Sequence, residues 1–253
     1  MSKRLILNGL VGSIAVLAIS GCKLPGRPAA GPEVLRPQEV LAFEPLYRQN
    51  CAGCHGVNGQ NGAAMNLANS EYEAWIDDAS LRSVIVNGEK GSLMPAFALS
   101  KGGTLTDAQV DILVRGIRAK WATQDAFAGS IPPPYRAIET GSASAGEAVY
   151  AKACASCHGA TDKQPGAAGS ILDSSFLALM DAQTLRTTIV VGRPDIGQPD
   201  WRHDVPGQVL TDADVSDVTA WLMAQRPVYL ARPNGDVVSE RPLPPRNSLL
   251  TSR

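Results

Sequence analysis

Five cysteines and three histidines carry most of the chemistry open to this chain. Four of the cysteines fall into two frames of the same form, "CAGCH" at 51–55 and "CASCH" at 154–158. Each frame offers two thiols three residues apart and an imidazole directly after the second. Thiols bind soft metals, close disulfides or add to activated double bonds, and imidazole is a metal ligand. Structural zinc takes four Cys or His ligands, and each frame supplies three. His203 is the only other histidine and completes at most one such site. A redox-active CxxC pair belongs in a βαβ setting, which the flanking sequence does not show.

C-x-x-C-H is the attachment pattern of c-type haem. Two thiols add across the two vinyl groups on one edge of the porphyrin, and two intervening residues set the sulfurs along that edge. The next residue then lies under the ring centre, where its imidazole binds iron as proximal ligand. The expectation is two covalently attached haem c groups. Cys51 and Cys54 carry one, with His55 as ligand; Cys154 and Cys157 carry the other, with His158.

The elements around the frames repeat after about a hundred residues. Tyr47 precedes Cys51 by four residues, as Tyr150 precedes Cys154. "DASLRSVIVNG" (78–88) returns as "DAQTLRTTIVVG" (181–192), and "LTDAQVDILVRGI" (105–117) as "LTDADVSDVTAWL" (210–222). The pattern predicts helices joined by long loops, an all-α chain without a sheet. Ser144-x-x-Glu147 reads as a capping box before the second CxxCH, and Pro45 suits the first turn of the matching helix. Thr106 and Thr211 open the last helix of each copy. Val110, Leu113, Val114, Ile117 and Trp121 share one face of the first, and Val215, Val218 and Leu222 one face of the second. The long loops have a prosthetic group to wrap, which supplies the apolar core that so small a domain lacks.

This order resembles class I cytochrome c: a helix ending in CxxCH, intermediate helices, a methionine-bearing loop and a closing helix. The resemblance implies two tandem domains, 41–122 and 141–227, with a Pro-bearing linker at 123–140. It also implies a distal methionine before the last helix, and "LMPAF" makes Met94 the partner of His55. Met65 is a rival nearer the CxxCH. Thioether ligation favours ferrous iron and raises the potential. The second copy reads "GQPDW", with Gln198 where Met94 stands, counted from Gly192 and Gly88. Met180 and Met223 read as core. The second distal position is therefore open between His203, Gln198 and no protein ligand, and in each case the second haem has the lower potential.

The ends and the charge set the context. Lys3 and Arg4, an apolar run from Leu10 to Ile19 and small residues before Cys22 read as a secretory signal over 1–21. "ISGC" resembles a bacterial lipobox, which implies a lipid on Cys22. Residues 22–40 read as a tether and 228–253 as a Pro-rich tail. A net charge of −1 leaves no basic footprint for nucleic acid. The expected protein is exported and lipid-anchored to a bacterial membrane, facing the periplasm or cell exterior. It carries single electrons between redox proteins or respiratory complexes and is not an enzyme. One alternative is a peroxidase-like enzyme with an open second haem, using Asp195, Asp200 and His203 as acid–base groups. Another is a haem subunit of a larger membrane oxidoreductase, docked through its tail.

Overall fold

A computed structural model describes residues 34–123 and 125–227. The expected signal segment, Cys22, part of the expected tether and the tail fall outside the described residues. Residues 34–39 form a short unit of their own, a 3-10 turn at Pro37–Glu39 closed by Arg36 on Glu39 at 2.7 Å.

The described residues from Val40 to 227 form one compact unit of helices. Its first half holds α1 (Phe43–Asn50), α2 (Ala52–His55), α3 (Ser70–Trp75), α4 (Asp78–Asn87) and α5 (Asp107–Trp121). The second repeats the order with α6 (Ala143–Ala153), α7 (Ala155–His158), α8 (Ser174–Leu179), α9 (Ala182–Val191) and α10 (Asp212–Ala224). Among the described residues β-structure is limited to isolated bridges, so the all-α expectation holds.

Local signals account for most boundaries. The Thr106 side chain accepts from the amide of Gln109, whose own side chain returns to the Thr106 amide. Thr211 and Asp214 repeat this capping box at α10. The second-copy CxxCH helix differs from its expected start. Ser142 caps it, taking the amide of Ala145 at 3.4 Å, and Ser144 lies inside the first turn. Ser142 stands one residue before the helix with extended backbone, the geometry a cap requires.

In each half the first helix packs across the last. The crossing needs a residue without a side chain. A Cβ on Gly116 of α5 would overlap the Phe43 ring of α1, and one on Gly146 of α6 would overlap the Asp217 backbone of α10 and crowd Trp221. The large and small partners have thus changed helices between the copies. Aromatic contacts seal each crossing. Tyr47 meets Trp121 at 5.2 Å between ring centroids, and Tyr150 meets Trp221 at 4.6 Å.

The halves are not independent beads. One apolar cluster runs from Leu46, Leu113 and Ile117 of the first half into Val190, Val191, Trp201 and Val215 of the second. A smaller cluster of Tyr150, Leu177, Leu185, Val218 and Leu222 fills the rest of the second half. The connecting segment is pinned to both. Trp75 Nε1 donates to Pro133 O at 2.6 Å, and Arg186 donates to Pro134 O at 2.8 Å. Tyr135 stacks edge-on against Trp75, while its carbonyl takes Gln183 Nε2. Successive carbonyls of a stiff proline run thereby join α3 to α9.

Candidate haem sites

Both CxxCH frames fold alike. Cys51 closes α1, its amide donating to Tyr47 O at 2.8 Å, and opens α2, its carbonyl accepting from the His55 amide at 3.0 Å. Cys154 does the same between α6 and α7, with Tyr150 O at 2.9 Å and the His158 amide at 2.9 Å. Each pair of thiols therefore spans a single helical turn. The Tyr hydroxyls tie the turn down: Tyr47 donates to Gly56 O at 2.8 Å and Tyr150 to Gly159 O at 2.7 Å. Cys51 is buried, Cys154 half-buried, and Cys54 and Cys157 are exposed. Burial pushes both inner thiols up to about 12, with the charge of Asp204 adding at Cys154.

The imidazoles are set by the loops that follow. His55 Nδ1 lies 2.7 Å from Met65 O and His158 Nδ1 lies 3.0 Å from Gly169 O. A carbonyl only accepts, so Nδ1 carries the proton in both rings. That fixes the tautomer with Nε2 as the free lone pair, the arrangement a metal-ligating histidine has when its other nitrogen is held by backbone. Burial holds His55 below the ordinary histidine range, against the Met65 bond, and Arg193 adds to the lowering. The ring is thereby kept neutral, as ligation demands. Two thiols on one turn, an adjacent imidazole held through Nδ1 and a free Nε2 fit c-type haem in both copies.

The distal loops share a backbone plan. Gly88 ends α4 with φ of 68°, and Gly192 ends α9 with φ of 66°. The loop then returns over each glycine: Glu89 N donates to Met94 O at 3.1 Å and Arg193 N to Gln198 O at 3.0 Å. A Cβ on Gly88 would lie 2.5 Å from Met94 O, and one on Gly192 would lie 2.8 Å from Gln198 O. "MPAF" and "QPDW" thus occupy one place in the fold, and Gln198 is the positional counterpart of Met94. Met94 is half-buried, while Met65, Met180 and Met223 pack against the core clusters. The Gln198 amide turns back onto Thr188 O of α9 at 3.4 Å. His203 is 68% exposed and pairs through Nδ1 with Asp200 at 3.1 Å. Gln198 and His203 also line a cavity of about 140 Å³ with Glu71, Val191, Pro194, Pro199 and Asp200. That volume takes a few waters, not a porphyrin.

The acid–base candidates are engaged. Arg193 holds Asp195 down to about 2, and the Asn61 amide also binds it. Asp200 is lowered despite burial, because Arg202 grips it on two atoms and His203 takes a third contact. Sequence reasoning passed over four groups. Asp204 is pushed up to about 8 by burial, with Asp200 adding. Asn69 donates from the first half to Val191 O at 2.8 Å. Arg193 and Arg226 reach from the second half to Gly62 O and Gly91 O, each at 3.0 Å. Only long-range packing brings these together. The one signal in the sequence was a charge reversal between Glu89 and Arg193 at a repeated position.

Residues 38–115, and again 141–222, match the family described as cytochrome c oxidase, cbb3-type, subunit III. The chain belongs to this family. The double match makes the two helical halves tandem cytochrome c-like domains. Among curated relatives, a cbb3-type cytochrome c oxidase subunit CcoP from Azospirillum sp. (strain B510) is 24% identical over 75% of this chain and 65% of its own length. The CcoP subunit of Rhodobacter capsulatus is 27% identical over 70% of this chain and 59% of its own. This cbb3-family chain therefore spans less than two thirds of those relatives. Dihydro-heme d1 dehydrogenase of Pseudomonas aeruginosa is 32% identical over 36% of this chain and 18% of its own. No described helix of the chain is long and apolar enough to cross a membrane.

Proposed function

We propose that this chain is a dihaem electron-carrying subunit of a membrane oxidoreductase, with one haem c on each CxxCH frame. The observation that carries the reading is the pair of imidazoles. His55 and His158 are each held through Nδ1 by a backbone carbonyl, at equivalent points of a repeated fold, leaving Nε2 for iron. When bound, haem c supplies reversible one-electron chemistry at iron. The chain binds it through Cys51, Cys54, Cys154 and Cys157, fixes both imidazole tautomers and sets the distal side. Met94 would be the sixth ligand of the first site and would raise its potential. The second site lacks a thioether, so it has the lower potential, whether His203, Gln198 or no protein group completes it. With both groups bound, electrons would run downhill from the second site to the first.

Residues 1–21 direct export, and Cys22 takes a lipid that holds the protein at a bacterial membrane, facing the periplasm or cell exterior. The family relatives named as oxidase subunits support a respiratory complex as partner. A peroxide-reducing second haem needs a free distal acid–base group, and the arginine pairs of Asp195 and Asp200 disfavour it. Acid–acetone extraction and a haem count test the attachment: two haems should stay on the protein. Redox titration with visible and near-infrared spectra should resolve two potentials, the higher one with the charge-transfer band of His/Met iron. One extractable haem, or two His/Met spectra, overturns the assignment at that site. Intact mass tests the lipid on Cys22, and a peroxide-turnover assay tests the enzyme alternative.

A further inference from the structure

A pair of charged side chains crosses between the halves beside the first haem site. After Gly192 the chain passes through Arg193 into the 3-10 turn Pro194–Ile196. The Arg193 side chain is 10% exposed and that of Asp195 is 1% exposed. The guanidinium grips the carboxylate at two points, Nε to Oδ1 and Nη2 to Oδ2, both at 2.9 Å. The pair then reaches out of its own half. Arg193 Nη2 donates to Gly62 O at 3.0 Å, and the Asn61 amide donates to Asp195 Oδ2 at 3.0 Å. Both partners lie in the loop between His55 and Met65, whose carbonyl holds the His55 ring. Residues of the second half's distal loop therefore clasp the first half's proximal loop.

The repeat shows what is particular about this clasp. Glu89 fills the same backbone role in the first copy, with its amide on Met94 O, and carries the opposite charge. Glu89 turns instead to Arg136 of the connecting segment at 3.6 Å. The guanidinium is thereby fixed on the loop whose Met65 carbonyl holds the His55 ring. Losing an electron adds one positive charge at the site, and a fixed cation in a partly buried setting opposes that change.

We propose that Arg193 is a positioning residue for electron transfer, which raises the reduction potential of the site at His55 from the other half of the molecule. Asp195 orients the guanidinium and tempers its charge. The same clasp joins the distal side of one site to the proximal side of the other, so the first potential depends on the seating of the second half. This inference rests on the dihaem reading.

The test uses the full-length holoprotein with R193Q, R193K and D195N variants, each checked for two covalent haems and titrated potentiometrically. R193Q should lower the potential of the site with the His/Met near-infrared band, and D195N should raise it. R193K should stay near wild type, and the other site should move less in every variant. A tenfold change in the ferrous-to-ferric ratio at fixed potential corresponds to about 59 mV for one electron. A clasp acting through packing alone is broken by R193Q and D195N alike and shifts the potential in one direction for both. That outcome, or no shift, overturns the proposal. If R193Q does not fold, the sign of the D195N shift still decides: upward supports the proposal, downward or absent refutes it. A wild type without haem on Cys51 and Cys54 overturns the dihaem reading instead.

Discussion

Asn69 offers a direct measure of how firmly the halves are joined. It is 1% exposed and works in two directions. Its Oδ1 caps α3 by accepting from the amides of Glu71 at 2.8 Å and Tyr72 at 3.3 Å. Its Nδ2 donates across to Val191 O, the last residue of α9, at 2.8 Å. Asn69→Asp keeps the acceptor and removes the donor. A buried carbonyl left without its partner costs about 1–3 kcal/mol. A buried carboxylate facing the Val191 and Gly192 carbonyls adds a desolvation cost that the helix N-terminus, worth about 0.5 kcal/mol, does not repay. The net loss is at least about 1–2 kcal/mol. Asn69→Ala loses the same bond and the cap, about 1 kcal/mol, but buries no charge. With a urea slope of about 2 kcal/mol/M, Asn69→Asp should lower the midpoint by at least about 0.5–1 M, and Asn69→Ala should lower it by more than the cap alone explains. The assay is urea unfolding of the holoprotein, followed by Soret absorbance and tryptophan fluorescence together. A wild-type midpoint for Asn69→Asp, with Asn69→Ala displaced only by the cap, refutes an energetic bond between the halves.

Glu73 is buried with Oε1 lacking a partner among the described residues, and burial pushes it up to about 7 despite Arg118 at 2.9 Å. Its folded value exceeds its ordinary 4.5, so its contribution is fully present below pH 4.5 and is lost as pH rises to 7. Glu73→Gln should remove about 3 kcal/mol of that pH dependence, read as the difference in urea midpoint from wild type at pH 5 and pH 8. Gly146→Ala should destabilise more than Gly116→Ala, by about 1–3 kcal/mol. Its Cβ meets helix backbone, whereas the Cβ at Gly116 meets a ring that can turn aside; thermal unfolding of the two variants gives the order. Gln198→Met should bring His/Met near-infrared absorption to the second site and raise the lower potential, since thioether favours ferrous iron. His203→Ala in the wild-type background should open that iron to carbon monoxide if His203 is its ligand, and should leave the spectrum alone otherwise.

Local chemistry made much of this legible. CxxCH fixes thiols and imidazole on one turn whatever surrounds it, so 51–55 and 154–158 could be read alone. Thr106 with Gln109, and Thr211 at the start of α10, announce their helices because a cap is a short-range bond. The Gly88–Met94 and Gly192–Gln198 spacings survived folding because a loop returning over a left-handed glycine tolerates little slippage. Ser144 misled because two serines lie within reach of one helix start, and only backbone geometry selects Ser142. What the sequence hid was the contact between copies. Asn69 to Val191, Arg193 to Gly62 and Arg226 to Gly91 each join residues more than a hundred positions apart, and no periodicity marks such pairs. The repeat itself concealed them, since it invites two separate domains rather than one unit with a shared core.

A duplicated chain faces a hazard during folding: the opening helix of one copy can dock on the closing helix of the other. The exchange of large and small partners at the two crossings bears on this. Swapped docking would set Phe43 against Trp221, two rings where the fold leaves room for one. It would also set Gly146 against Gly116, leaving a gap where a ring belongs. Each opening helix is thus keyed to its own closing helix by the divergence of Phe43, Gly116, Gly146 and Trp221.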